Sequence, residues 1–116
     1  MDIRGLAYVG IETTDLAKWE HFGTQTTYVA LEEMKSVASS DRKPYRDLGI
    51  NHIGWVVEDL DTICSKASGA GYRTGEVMVE GGGPSRKRAY IFDSVGNEWE
   101  FVEYLTDEDG ERNRYE

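Results

Sequence analysis

Ile50-Asn51-His52-Ile53-Gly54-Trp55-Val56-Val57-Glu58-Asp59-Leu60 and Ile91-Phe92-Asp93-Ser94-Val95-Gly96-Asn97-Glu98-Trp99-Glu100-Phe101-Val102-Glu103-Tyr104 bracket the part of the chain whose reading decides the fold. Alternation along the first predicts a strand over Ile50–Val57. It places Ile53, Trp55 and Val57 on one face and His52, Gly54 and Val56 on the other. Asp59 is a good N-cap, and Leu60, Ile63, Cys64 and Ala67 recur at helical spacing. That helix is expected to end near Gly69–Gly71, where glycine accepts positive φ. Three strands should follow, at Tyr72–Val79, Arg88–Phe92 and Glu98–Tyr104, with a turn at Asp93–Asn97.

The same alternation sorts the chemistry. If Trp99 and Phe101 face the helix, then Glu98, Glu100, Val102 and Tyr104 face the other way. His52 belongs with Glu100 in this sense. Arg88, Tyr90 and Phe92 join them if Ala89 and Ile91 pack on the helix. An imidazole and a carboxylate then sit in an aromatic-walled concavity, the expected setting of a ligand site.

Composition sets limits on partners. The 116 residues carry 22 acidic and 13 basic side chains, a net charge of −9. Such acidity argues against nucleic acid and anionic membrane surfaces as partners. Cys64 is the single cysteine, so an intrachain disulfide and a Cys-rich metal site are both excluded. Met1-Asp2-Ile3-Arg4 lacks the basic start and apolar run of a signal peptide, and no apolar run reaches spanning length. The expectation is a soluble cytoplasmic domain. Glu80-Gly81-Gly82-Gly83-Pro84 reads as a flexible turn without phosphate-loop spacing.

Outward from the decisive stretch, Leu6–Glu12 reads as a strand, about 15–23 as a short helix and Tyr28–Met34 as a further strand. Residues 36–49 have turn chemistry and no period, so they form a linker. Residues 106–116 are a charged tail. Placing Tyr8-Val9-Gly10-Ile11 over His52-Ile53-Gly54-Trp55 aligns Gly10 with Gly54, Asp15 with Asp59 and Leu16 with Leu60. The same order of elements in both copies points to a duplicated unit.

With these residues in view, the chain resembles the vicinal oxygen chelate superfamily. That group includes glyoxalase I, fosfomycin and bleomycin resistance proteins, methylmalonyl-CoA epimerase and the extradiol dioxygenases. The motifs that carry the resemblance are His-Ile-Gly-x-Val-Val-x-Asp-Leu-Asp, a helix ending in Gly-Tyr, and Phe-Asp-x-x-Gly-Asn-x-Trp-Glu-Phe. They cover Ile50–Tyr104, and the first 23 residues look most like the start of an extradiol dioxygenase. The resemblance implies an α+β fold of paired βαβββ modules whose curled sheet forms a cup. The expected layout is one domain: a shortened first module at 1–35, the linker, a complete module at 50–105, and the tail.

In the family a divalent metal (Zn, Mn, Ni, Co or Fe), where present, is commonly held by a His on the first strand and a Glu on the fourth. Carried over, these are His52 and Glu100, with Glu100 also the catalytic candidate and Glu32 a further ligand candidate. Tyr8 stands where the first module would place a His. Tyr8, Arg88, Tyr90, Phe92 and Tyr104 are the expected substrate-binding residues. A two-His iron site would have to draw on His21, on the expected first helix, which disfavours iron dioxygenase chemistry. Two functions stay open: metal-dependent lyase or isomerase chemistry on a small molecule, and metal-free binding of the bleomycin-resistance type. The short first module leaves edges that a second copy would cover, so a homodimer, with modules swapped or paired across the two-fold, is expected.

Overall fold

The computed structural model describes residues 3–4, 6–13, 21–33, 41–79, 85–93 and 96–112. They fall into two compact units, residues 1–41 and 42–116.

The second unit holds the decisive stretch. Its elements are β4 (His52–Val56), α1 (Leu60–Gly69), β5 (Arg73–Thr74), β6 (Met78–Val79), β7 (Arg86–Phe92), β8 (Glu98–Tyr104) and the short α2 (Asp109–Arg112). The sheet runs β4-β8-β7-β5, and β6 also pairs with β7. β4 lies parallel to β8, so the crossover through α1 and the middle strands is obligatory. The expected strand at Tyr72–Val79 forms as two short pieces. Register slips by one residue between the Thr74↔Ile91 and Met78↔Arg88 pairs, the mark of a β-bulge.

Helix α1 begins where its cap dictates. Asp59 accepts from the Thr62 backbone N–H at 3.1 Å and from the Thr62 hydroxyl at 2.7 Å. Those bonds hold the Asp59 carboxyl below its ordinary pKa. The helix closes before Gly71, which takes φ +91°. Leu60 is fully buried, and the buried core continues through Ala89, Ile91, Trp99 and Phe101. These residues meet as cross-strand pairs, Ala89 with Phe101 and Ile91 with Trp99. Each large apolar side chain so buried stabilises the unit by about 1.5–3 kcal/mol.

The β7–β8 turn shows why Asp93 and Gly96 belong in the sequence. Asp93 accepts from the Asn97 backbone N–H (2.8 Å), the Asn97 amide (2.9 Å) and Trp99 Nε1 (3.0 Å). Gly96 supplies the positive φ, at +88°. In the described part of the tail, Ser85 donates its backbone N–H to the Glu111 carbonyl at 3.0 Å, and the Arg112 guanidinium lies over the Tyr104 ring.

The first unit contains β1 (Tyr8–Thr13), β2 (His21–Gly23) and β3 (Tyr28–Glu33), ordered β1-β3-β2. β1 is parallel to β3, as β4 is to β8, and β2 is antiparallel to β3, as β7 is to β8. The duplicated unit is therefore visible in topology, with its third strand cut to three residues. Here the sequence expectation needs correction. Residues 21–23 of the expected helix are strand, so His21 lies on β2 opposite Ala30. Three residues are too few to show a period. The rest of that helix, residues 15–20, lies outside the described residues.

Candidate functional site

Alternation on β7 and β8 separates two sets of polar side chains. Lys87 and Glu103 point to the helix side. Lys87 Nζ sits 3.2 Å from Asp61 and 3.5 Å from Glu103, and Glu103 Oε1 accepts from the Leu60 backbone N–H at 3.0 Å. Glu103 thus tops the N-terminus of α1. There the helix dipole and an unfilled backbone donor favour a carboxylate. Arg88 lies on the opposite face, so Arg86-Lys87-Arg88 is divided between both sides of the sheet.

The other face gathers His52, Arg88, Tyr90, Glu98 and Glu100. His52 Nε2 lies 3.2 Å from Glu100 Oε2, and Arg88 Nη1 lies 3.5 Å from Glu100 Oε1. Both oxygens of this buried carboxylate therefore face a nitrogen. The Tyr90 ring meets the His52 imidazole edge-on, with centroids 5.3 Å apart. Burial, and then the Glu100 charge, push the Tyr90 hydroxyl above its ordinary pKa. Gly54 pairs with Glu100 on the neighbouring strand, and a Cβ there would stand 3.6 Å from Glu100 Oε2. A side chain at position 54 would lie against the carboxylate.

Three members of this face escaped the sequence reading as site residues. Glu98 is buried and accepts from the Tyr45 hydroxyl at 3.0 Å. Desolvation of the hydroxyl beside Glu98 and that hydrogen bond raise the Tyr45 pKa, although the residue as a whole is exposed. Asn51 contacts His52 Nδ1 at 2.8 Å. Glu98 was legible by alternation. Tyr45 was not, because it reaches the site from an aperiodic segment.

The remaining expected residues are placed as follows. Phe92 carries the Arg73 guanidinium 3.8 Å from its ring centroid, and Tyr104 carries Arg112 at 4.9 Å, so each has one ring face covered. Tyr8 belongs to the first unit, where it stacks on Tyr28 with centroids 5.3 Å apart. Glu32 pairs with Glu12 in the β1–β3 register, and its side chain lies outside the described residues. In that register Gly10 pairs with Ala30, whereas Gly54 pairs with Glu100. The first unit thus has Ala30 at the register place of Glu100.

The donors on this face are few for a divalent metal ion. Among the described residues no group of three or more His, Cys, Asp or Glu is placed to hold one. Among the described residues His52 and Glu100 converge, and the Arg88 guanidinium already stands beside the carboxylate. This set does not make a metal site by itself. No helix among the described residues is long and apolar enough to cross a membrane.

No protein-family model matches the chain. No curated protein matches it either. Solved structures do. A glyoxalase family protein from Bacillus cereus superposes with a TM-score of 0.72 at 16% identity, over 91% of this chain and 97% of that one. A glyoxylase/bleomycin resistance protein/dioxygenase domain from Frankia sp. EAN1pec gives 0.71 at 15%, over 89% and 99%. The fosfomycin resistance protein FosX of Listeria monocytogenes gives 0.65 at 13%, over 91% and 98%. Identities this low speak to fold alone, and the parallel β4–β8 pairing and the repeated strand order agree with it: the chain has a glyoxalase-type α+β fold.

Proposed function

We propose that this protein binds a small aromatic or cationic molecule on the His52–Glu100 face without a metal, as a binding protein of the bleomycin-resistance kind. The observation that carries this reading is the engagement of Glu100, whose two oxygens face His52 and Arg88. A fixed guanidinium takes the place beside the carboxylate where a metal ion would supply positive charge. Glu98 and Tyr90 line the same face, and the net charge of −9 favours a cationic ligand. The substrate-binding set is then Arg88, Tyr90 and Glu98 around Glu100, with Phe92 and Tyr104 as outer wall.

A second reading is favoured by one feature, the convergence of His52 and Glu100 at the two positions where the family holds a divalent metal. It makes the protein a metal-dependent lyase or isomerase, with further ligands from a second chain. A homodimer suits both readings. β4 is an edge strand of its sheet, and the apolar side chains of Leu48, Ile50 and Val56 on and before it are exposed. We place the protein in the cytoplasm.

The test is metal content after purification without chelators, together with calorimetric titration of small aromatic cations. Sub-stoichiometric metal, and ligand binding lost in Gly54→Val and Glu100→Gln, is the expected result. A stoichiometric divalent ion that disappears in His52→Ala and Glu100→Gln overturns it for the second reading. Light scattering at micromolar concentration should give the dimer mass, and a monomer would sink the dimer.

A further inference from the structure

We infer that Asn51 is a positioning residue that fixes His52 as the tautomer protonated at Nε2. The inference concerns the proposed site but not its ligand, and it is tested on the protein alone.

The amide of Asn51 has two fixed neighbours. The Tyr45 backbone N–H can only donate, and Glu98 Oε2 is an acceptor, already taking the Tyr45 hydroxyl proton. One amide orientation satisfies both: the Asn51 oxygen accepts from the Tyr45 N–H at 3.1 Å, and Nδ2 lies 3.2 Å from Glu98 Oε2. The reverse orientation sets oxygen against carboxylate and NH₂ against N–H. In the satisfied orientation Nδ2 also points at His52 Nδ1, 2.8 Å away, and at the Tyr45 hydroxyl, 3.2 Å away. Tyr45 reaches this place with φ +67°, a left-handed conformation uncommon for a tyrosine. Its hydroxyl donates in turn to Glu98.

A donor facing Nδ1 requires a lone pair there. In that orientation the ring proton of neutral His52 belongs on Nε2, which lies 3.2 Å from Glu100 Oε2 and can donate to it. The chain of donors runs from Tyr45 N–H through the Asn51 amide and the His52 ring to Glu100. Asn51 thereby holds the imidazole with its N–H turned to the binding face. An Nε2 metal ligand would need the opposite tautomer.

The experiment is a long-range ¹H–¹⁵N correlation spectrum of ¹⁵N-histidine-labelled protein at neutral pH. His21→Gln assigns the two rings. The expected wild-type result is a His52 signal with unprotonated Nδ1 far downfield of protonated Nε2. Asn51→Asp replaces the amide donor by an acceptor, so the downfield Nδ1 signal should be lost. Tyr45→Phe keeps the backbone N–H and should leave the pattern unchanged. Wild-type His52 protonated at Nδ1 overturns the inference whatever the variants do. So does an unchanged pattern in folded Asn51→Asp, or a changed one in Tyr45→Phe. Measured without ligand or metal, these outcomes stay separate from the failure of the binding reading.

Discussion

Glu100 and Arg88 form an ion pair at 3.5 Å on adjacent antiparallel strands, with the carboxylate buried and the guanidinium partly exposed. Breaking such a pair from one side leaves the other charge poorly solvated. Arg88→Ala should therefore destabilise the protein by about 1–3 kcal/mol, below the range for fully buried pairs because water screens the arginine. The double variant Arg88→Ala with Glu100→Gln should recover part of that loss. Urea denaturation of the four proteins measures the coupling, and additive effects would show that the pair contributes nothing.

The same pair predicts an effect on metal binding. Arg88→Gln removes a positive charge beside Glu100 while keeping a side chain of similar reach. Affinity for a divalent cation should rise roughly tenfold, the scale of removing one partly screened unit charge a few ångströms away. Titration calorimetry with Mn²⁺ or Zn²⁺ measures it. Glu100→Gln in the same background should cancel the gain, and equal affinity in wild type and Arg88→Gln would remove Arg88 from this role.

On the opposite face, Glu103 accepts the Leu60 backbone N–H at the start of α1. Glu103→Ala should cost about 0.5–2 kcal/mol, the usual worth of a cap, and Glu103→Gln distinctly less because an acceptor oxygen remains. Thermal unfolding followed by circular dichroism separates the two. Identical losses would mean that charge on Lys87, rather than the hydrogen bond, explains Glu103.

Asp93 offers a sharper local test. It accepts three hydrogen bonds in the β7–β8 turn, one from Trp99 Nε1 at 3.0 Å. Asp93→Ala should destabilise by about 1–3 kcal/mol through the lost acceptor for a buried indole. Tryptophan emission should shift as the turn loosens. A variant with wild-type stability would show that Gly96 alone shapes the turn.

What the sequence revealed and what it hid divides along physical lines. The strand–helix–strand frame was legible because Ile53, Trp55, Trp99 and Phe101 alternate and Asp59 and Gly71 punctuate the helix. Alternation also put His52 and Glu100 on one face, as their 3.2 Å contact bears out. Pairing partners between distant segments were not legible. Glu103 meeting Leu60, Tyr45 reaching Glu98, and His21–Gly23 forming a strand each depend on where another segment comes to lie. The β1–β3 register, which opposes Gly10 to Ala30, was likewise beyond a period of two residues.

The two tyrosines of the site give a pH signature whose sign follows from their shifts. Burial and the Glu100 charge raise Tyr90, and desolvation of the hydroxyl and the Glu98 hydrogen bond raise Tyr45. Above the ordinary tyrosine range the unfolded chain has lost these protons while the folded chain still holds them. The unfolded state then binds fewer protons, so stability falls as pH rises through that window. Among the seven tyrosines, phenolate absorbance should show a late-titrating fraction. Tyr90→Phe and Tyr45→Phe should each remove part of it, and Glu100→Gln should bring Tyr90 down by removing the nearby negative charge. Seven tyrosines ionising together in the folded protein would contradict the placement of both rings beside the carboxylates.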